Sequence, residues 1–222
     1  MKNIQKSPIL GILATLMISL FISCNNDNDD NKLNAVSDNS YAESTFSDVH
    51  SIVDQAFLTS TSKDVESGAS SFLNGCATIT HDTISIPHTI NINFGTVNCL
   101  CGDNRYRRGE INVSYTGHYR DSGTVISITF NNYFVNDNQI LGTKTITNNG
   151  RNANNNFHYT INVNGTIIKA NNGGTIVWNS IRDKEWLFGS GTNTWLDDIY
   201  LINGSANGTS ANGNNFSVNI TT

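Results

Sequence analysis

The sequence predicts an all-β fold: an antiparallel meander that forms a sandwich or a partly open barrel, with one short N-terminal helix after a disordered tether. From Cys76 onward the apolar residues recur with a period of two, as in strands with one dry and one wet face. Clusters of Asn, Asp and Gly separate these strands and supply the turns that tight hairpins need. No alternation of strands and helices is visible, which argues against a parallel sheet.

The first residues have the pattern of a signal peptide. Two lysines precede an apolar stretch over residues 8–22, which is shorter than the about 20 apolar residues that a spanning helix needs. Residues 21–24 read Phe-Ile-Ser-Cys and resemble a lipobox, in which the cysteine thiol takes a diacylglycerol lipid before cleavage. We therefore expect residues 1–23 to be removed and Cys24 to be the lipidated N-terminus. The alternative is a free cysteine beside an ordinary cleavage site.

Residues 25–44 are polar, and we expect them to form a flexible tether that spans roughly 25 Å. Asp27, Asp29 and Asp30 follow the cysteine closely and resemble the export signal of Bacteroidota lipoproteins. That signal would place the anchored chain on the outer membrane, facing the cell exterior. The alternative is a solvated acidic linker that carries no export signal, which leaves the chain on the periplasmic face of the outer membrane.

The β domain is expected over residues 45–222, with one helix near its start. Between residues 41 and 58 the apolar residues recur every three or four positions, which is the spacing of one helical face. The alternative is that this segment belongs to the tether.

About nine or ten strands follow. In one example, Ile126, Ile128 and Phe130 alternate with polar residues. The last alternating segment runs into Thr222 without a closing turn, which is compatible with a chain that is truncated at its C-terminus and equally with an intact one. Only 14% of the residues are charged and the net charge is -5, which disfavours nucleic acid as a partner because like charges repel.

Several segments together resemble a group of uncharacterised, Flavobacterium-like outer-membrane lipoproteins of the Bacteroidota. The segments are residues 76–80, 87–95, 105–111, 142–145, 164–166, 182–186 and 197–200. The similarity covers about residues 75–222. It implies bacterial origin, placement at the outer membrane and a C-terminal extension that is absent here, and it brings no activity.

Three cysteines remain once Cys24 is lipidated, an odd number in an oxidising compartment. We favour a disulfide between Cys76 and Cys99, worth about 3 kcal/mol by loop-closure entropy. A bond between Cys76 and Cys101 is the alternative. Zinc-ligand spacings are absent, so neither a metal nor another cofactor is expected.

Two features are candidates for ligand contact. Arg105, Arg107 and Arg108 form the densest cationic cluster of the chain and can grip a carboxylate or a sulfated sugar. The alternative, which we favour, is a charged hairpin loop. Trp195 lies in a turn-rich region and is a candidate exposed ring for stacking on a sugar, whereas Trp178 and Trp186 share the strand parity of core residues.

No catalytic frame is present around the five histidines, and no nucleophile elbow or phosphate-binding loop occurs. We therefore expect no enzyme. The leading hypothesis is a membrane-anchored interaction or structural module with a protein or glycan partner. A small-molecule or glycan carrier with an apolar cavity is the second hypothesis, and a hydrolase is the third.

Overall fold

The computed structural model describes residues 27–61, 73, 75–191 and 197–221. Within these ranges the chain forms one helix and ten strands. The helix is α1 (Asp27–Thr61), whose side chains are described over residues 32–57. The strands are β1 (Thr78–Asp82), β2 (His88–Asn93), β3 (Cys99–Leu100), β4 (Tyr106–Tyr115), β5 (Val125–Val135), β6 (Asn138–Arg151), β7 (Phe157–Ile168), β8 (Thr175–Phe188), β9 (Ile199–Thr209) and β10 (Asn215–Ile220).

The strands form a single antiparallel sheet, which confirms the predicted meander. The sheet order is β1-β2-β4-β5-β6-β7-β8-β9-β10, and the short β3 pairs with β4 beyond the end of β2. Within the described residues the sheet is open, with β1 and β10 as its two edges. Its second layer is α1, so the described part of the chain forms neither a closed barrel nor a sandwich of two sheets.

The hairpin turns use the predicted chemistry. Asn136 and Asp137 link β5 to β6, and both have positive φ values, 47° and 64°. A two-residue turn with both φ values positive twists in the same sense as the strands, and Asn and Asp tolerate that conformation. The turn therefore sets the pairing of Val135 with Asn138.

The helix packs on one face of the sheet, which we call the inner face. Ala42, Phe46, Val49, Ile52 and Val53 are buried along one side of α1. Their spacing of three and four residues is the pattern that predicted the helix. On the sheet, alternate residues of each strand point inward to meet them and complete a single core.

The helix is longer than predicted and begins inside the segment assigned to the tether. The residues from Asp27 to Thr61 are helical, and within the former tether segment Asp38 and Asn39 are buried. The Asp38 carboxylate accepts hydrogen bonds from the Lys169 ammonium group at 3.1 Å and the Ala211 amide at 2.7 Å. Apolar periodicity cannot reveal a helix that docks through polar side chains. The prediction of a flexible tether was therefore wrong for residues 27–44.

Candidate functional site on the outer face of the sheet

Two continuous rows of side chains, polar except for Ile181, cross the outer face of the sheet, which is the face turned away from α1. Each row takes one residue from every strand except β3, because directly paired residues of antiparallel strands share a face. Row A comprises Thr80, Asn91, Asn112, Thr129, Thr143, Asn164, Asn179, Asn207 and Ser217. Row B comprises Asp82, Thr89, Ser114, Ser127, Thr145, Asn162, Ile181, Ser205 and Asn219.

The rows follow from the period of two. Between each row A residue and its row B neighbour on β2 and on β4 to β9 lies one buried residue that points to the inner face. These residues are Ile90, Val113, Ile128, Lys144, Val163, Ser180 and Ala206. The strand ladders shift register at several places, but both rows lie in stretches of regular pairing.

A trench runs between the two rows as two shallow depressions. The first has a volume of about 260 Å³ and crosses β2, β4 and β5. The second has a volume of about 190 Å³ and crosses β6, β7, β8 and β9. We call the two depressions together the trench; its walls are the row A and row B residues from Thr89 and Asn91 on β2 to Ser205 and Asn207 on β9.

Hydrogen bonds between side chains hold the β2 and β4 end of the outer face. The Asn91 amide donates to the Asn112 carbonyl oxygen of the same row at 2.8 Å. Beside them, the Glu110 carboxylate accepts hydrogen bonds from Asn93 at 2.9 Å and from Asn131 at 3.1 Å. The single carboxylate thus orders amides on both neighbouring strands.

A cation lies directly beneath the trench but faces away from it. Lys144 separates Thr143 from Thr145 on β6, and its ammonium group donates a 2.7 Å hydrogen bond to the Phe46 carbonyl oxygen of α1. Burial lowers the pKa of Lys144 to about 8, although the Asp54 carboxylate opposes this shift. The charge therefore belongs to the helix–sheet interface.

The three arginines that were candidates for ligand contact all form ion pairs with carboxylates of the chain. Arg107 is fully buried, and its guanidinium group binds Asp103 at 2.6 and 2.7 Å and Asp48 of α1 at 2.9 Å. Arg105 binds Asp48 at 3.0 Å, and Arg108 pairs with Asp137 at the surface. The interpretation of Arg107 as a ligand contact was therefore wrong, because its side chain is enclosed.

The electrostatics of Arg107 agree with this structural role. Burial disfavours its charged form, but the hydrogen bonds from Arg107 to Asp103 and Asp48 outweigh that cost and raise its pKa above the usual value. Asp103 shows the reciprocal effect: burial raises the pKa of its carboxyl, and Arg107 more than compensates and lowers it. Sequence reasoning found the arginines but missed Asp48, which lies 59 residues away.

The disulfide joins Cys76 to Cys101, with the Cα atoms 5.3 Å apart. The favoured pairing with Cys99 was wrong, and the alternative is the observed one. β3 ends at Leu100, and Cys101 turns into the buried region beside Cys76, whereas the half-buried Cys99 thiol lies 3.6 Å from the Gly75 carbonyl oxygen. Two cysteines separated by one residue cannot be distinguished by spacing alone.

Most of the remaining candidate residues have no described side chain. Cys24 and Trp195 lie outside the described residues, while Asp27, Asp29 and Asp30 lie in the first turn of α1, where only the backbone is described. Trp178 and Trp186 are buried, as expected for core residues.

Comparison of the chain with known protein families, curated proteins and solved structures found no match. In the part of the chain that the structure describes, no helix has the length and hydropathy of a transmembrane span. The same residues contain no group of three or more metal-ligating side chains close enough to hold an ion.

Proposed function

We propose that this chain is a lipid-anchored, non-catalytic interaction module of the outer membrane that presents the outer face of its sheet to a partner at the cell exterior. The observation that carries the proposal is the pair of continuous rows. Rows A and B give a hydrogen-bonding surface that extends across nine strands, which suits contact with an extended partner.

A binding role fits the trench better than a catalytic one. Catalytic sites are concave, exclude water and contain groups with perturbed pKa values, whereas the trench is shallow and its lining includes no ionisable side chain. The His158 imidazole lies 2.5 Å from the Asp183 carboxylate on the same face, but the Asp183 side chain is 54% exposed. The carboxylate that orients a catalytic histidine in a serine hydrolase is buried.

The structure gives less support to an interior carrier. A carrier of this kind needs an apolar cavity on the inner face of a curled sheet. Here α1 occupies that face, and the Phe46 ring lies between Phe130 and Trp178, with ring centroids 6.2 and 5.6 Å away. We therefore place the binding surface on the outer face.

Membrane anchoring is tested by replacing the cysteine that would carry the lipid. We expect Cys24→Ala to move the protein from the membrane fraction to the soluble fraction and to abolish incorporation of labelled fatty acid. Cys99→Ala is the matched control, because it removes an unpaired cysteine of the β domain and should leave membrane attachment unchanged. Unchanged attachment of Cys24→Ala would contradict the anchor.

Partner binding is tested with the mature chain carrying Cys24→Ala, immobilised and exposed to an extract of the bacterial envelope. We expect retention of envelope material that falls when Thr143 and Thr145 are both replaced by lysine, since two long charged side chains would fill the trench. Replacing Thr147 and Thr166, which lie on the same face outside the trench, should leave retention unchanged. Equal retention by both variants would contradict binding in the trench.

A further inference from the structure

The trench runs across the strands and follows the paired residues of rows A and B. Its two depressions end on the neighbouring strands β5 and β6, where Thr129 pairs with Thr143 in row A and Ser127 pairs with Thr145 in row B. Seven adjacent strands at their usual spacing extend over roughly 29 Å. The trench therefore matches a long, narrow ligand that lies across the strands, and an extended peptide added at a sheet edge would run in the other direction.

The trench walls are neutral and can both donate and accept hydrogen bonds. Apart from Ile181 the walls consist of hydroxyl and carboxamide groups, and the floor between them is lined by Ile90, Val113, Val163 and Ser180. Without ionisable groups, the walls offer no charge-assisted contact to phosphates, sulfates or carboxylates. The chemistry selects an uncharged ligand that itself carries many hydroxyl groups.

A protein partner fits this surface poorly. Protein–protein interfaces concentrate their binding energy in buried aromatic and arginine side chains at the centre of the contact. The trench contains neither, and its one exposed apolar wall residue is Ile181, which is 57% exposed. A polar polymer does not need such an apolar centre.

The walls are also partly ordered before any ligand binds. The Asn91 and Asn112 side chains are joined by a 2.8 Å hydrogen bond, and the threonines have restricted side-chain torsions because they are β-branched. Ordering side chains costs free energy on binding, so walls that are already fixed reduce that cost.

We propose that the trench binds a neutral, linear polysaccharide that lies across the strands. The inference rests on the proposed function, because it names the partner class of the same outer face. Successive sugar rings of an extended glycan advance by a distance close to the strand spacing of about 4.8 Å. Each sugar therefore meets the hydroxyl and amide groups of one further strand.

This mode of binding makes affinity depend on glycan length. No aromatic ring lines the trench to stack on a sugar, so each sugar contributes only hydrogen bonds, which add about 1 kcal/mol each in water. A single sugar should bind very weakly. A chain that contacts several strands adds these contributions within one molecule, and its affinity rises steeply.

The test measures calorimetric binding of the mature chain carrying Cys24→Ala to neutral linear oligosaccharides. The probes are disaccharides and hexasaccharides of β-1,4-linked glucose and mannose, whose vicinal diols periodate can cleave, together with a carboxylated glucose hexasaccharide. We expect at least one neutral hexasaccharide to bind at least tenfold more tightly than its disaccharide, and the carboxylated probe to bind no better than a disaccharide. Failure of every neutral hexasaccharide at millimolar concentration overturns the inference.

The matched variants remove hydroxyl groups without changing side-chain shape. Thr143→Val with Thr145→Val should weaken hexasaccharide binding about tenfold, whereas Thr147→Val with Thr166→Val should not change it. Valine is favoured in strands, so both pairs should keep the fold, and matching thermal unfolding curves will check this. Equal losses in both pairs would contradict binding in the trench.

A second measurement separates this inference from the proposed function. Envelope extract is treated before binding either with periodate, which cleaves the vicinal diols of sugars, or with a protease. Loss of retention after periodate treatment supports the glycan. Retention that survives periodate and is lost after protease treatment overturns the glycan and leaves the interaction module intact, whereas no retention from untreated extract overturns both.

Discussion

The aromatic ring of Phe46 on α1 lies directly over Gly165 on β7. A methyl group added to Gly165 would overlap the Phe46 ring, which also stacks on the Trp178 indole with the ring centroids 5.6 Å apart. The missing side chain on β7 thus creates the space that the helix fills. This contact couples the helix to the middle of the sheet.

We expect Gly165→Ala to lower the free energy of unfolding by about 2 kcal/mol, because an extra methyl group in a packed core forces its neighbours to move. The measurement is urea denaturation followed by tryptophan fluorescence. Gly191→Ala is the control, since a methyl group there would contact none of the described residues and should change stability by less than about 0.5 kcal/mol. Equal effects of the two substitutions would show that Phe46 does not pack on Gly165.

The Asp48 carboxylate of α1 anchors both Arg105 and Arg107. We expect Asp48→Asn to lower the free energy of unfolding by about 3 kcal/mol, because it leaves the buried Arg107 charge with Asp103 alone. Asp137→Asn breaks an ion pair at the surface and should cost less than about 1 kcal/mol. Similar losses in the two variants would mean that the Asp48 pair is as weak as a surface pair.

The buried Lys144 predicts a stability that increases with pH. Its folded-state pKa of about 8 lies below the unfolded value of 10.5, so the unfolded chain binds more protons between these pH values. The free energy of unfolding should therefore rise from pH 8 toward pH 10, by as much as about 3 kcal/mol for the full shift.

The contribution of Lys144 is isolated by comparing the protein with a Lys144→Met variant, both carrying Cys99→Ser to prevent thiol exchange at high pH. Urea denaturation at pH 7, 8, 9 and 10 should show that the free energy of unfolding rises with pH more in the protein with Lys144 than in the Lys144→Met variant. Burial also lowers the pKa of Lys184. Because Lys184 is present in both proteins, the comparison isolates the contribution of Lys144. Parallel curves for the two proteins would exclude a buried Lys144.

The disulfide predicts a clear difference between neighbouring cysteines. Peptide mapping without reduction should recover Cys76 linked to Cys101, and Cys99→Ser should leave stability unchanged. Cys101→Ser combined with Cys99→Ser should lose about 3 kcal/mol through the freed loop. Recovery of Cys76 linked to Cys99 from the native protein would contradict the structure.

The strands could be predicted from the sequence because alternation is a local property. On β6, Thr143 and Thr145 occupy outward-facing positions, and the inward-facing position between them holds a lysine where an apolar residue is usual. The structure explains this exception, because the Lys144 ammonium group donates a hydrogen bond to the Phe46 carbonyl oxygen. The length of α1 could not be predicted, since Asp38 and Asn39 look solvent-exposed until their partners on the sheet are known.

The candidate site required the register of the whole sheet. Residues such as Asn112 and Thr129 belong to one row only because β4 and β5 pair at that position, beyond an irregularity near Arg108. Turn geometry and bulges set this pairing, and they act through backbone conformation rather than residue type. The sequence alone therefore showed polar strand faces but not their alignment.

The direction of α1 has a consequence for the geometry of the cell surface. Asn39 of the helix binds Trp178 of β8, the Phe46 carbonyl oxygen binds Lys144 of β6, and Asp48 binds Arg107 of β4, so the helix crosses the strands obliquely. In a chain lipidated at Cys24, the bilayer then lies beyond the N-terminal end of the helix. The trench lies on the other face of the sheet, so a polymer bound in it would pass the anchored helix without touching it.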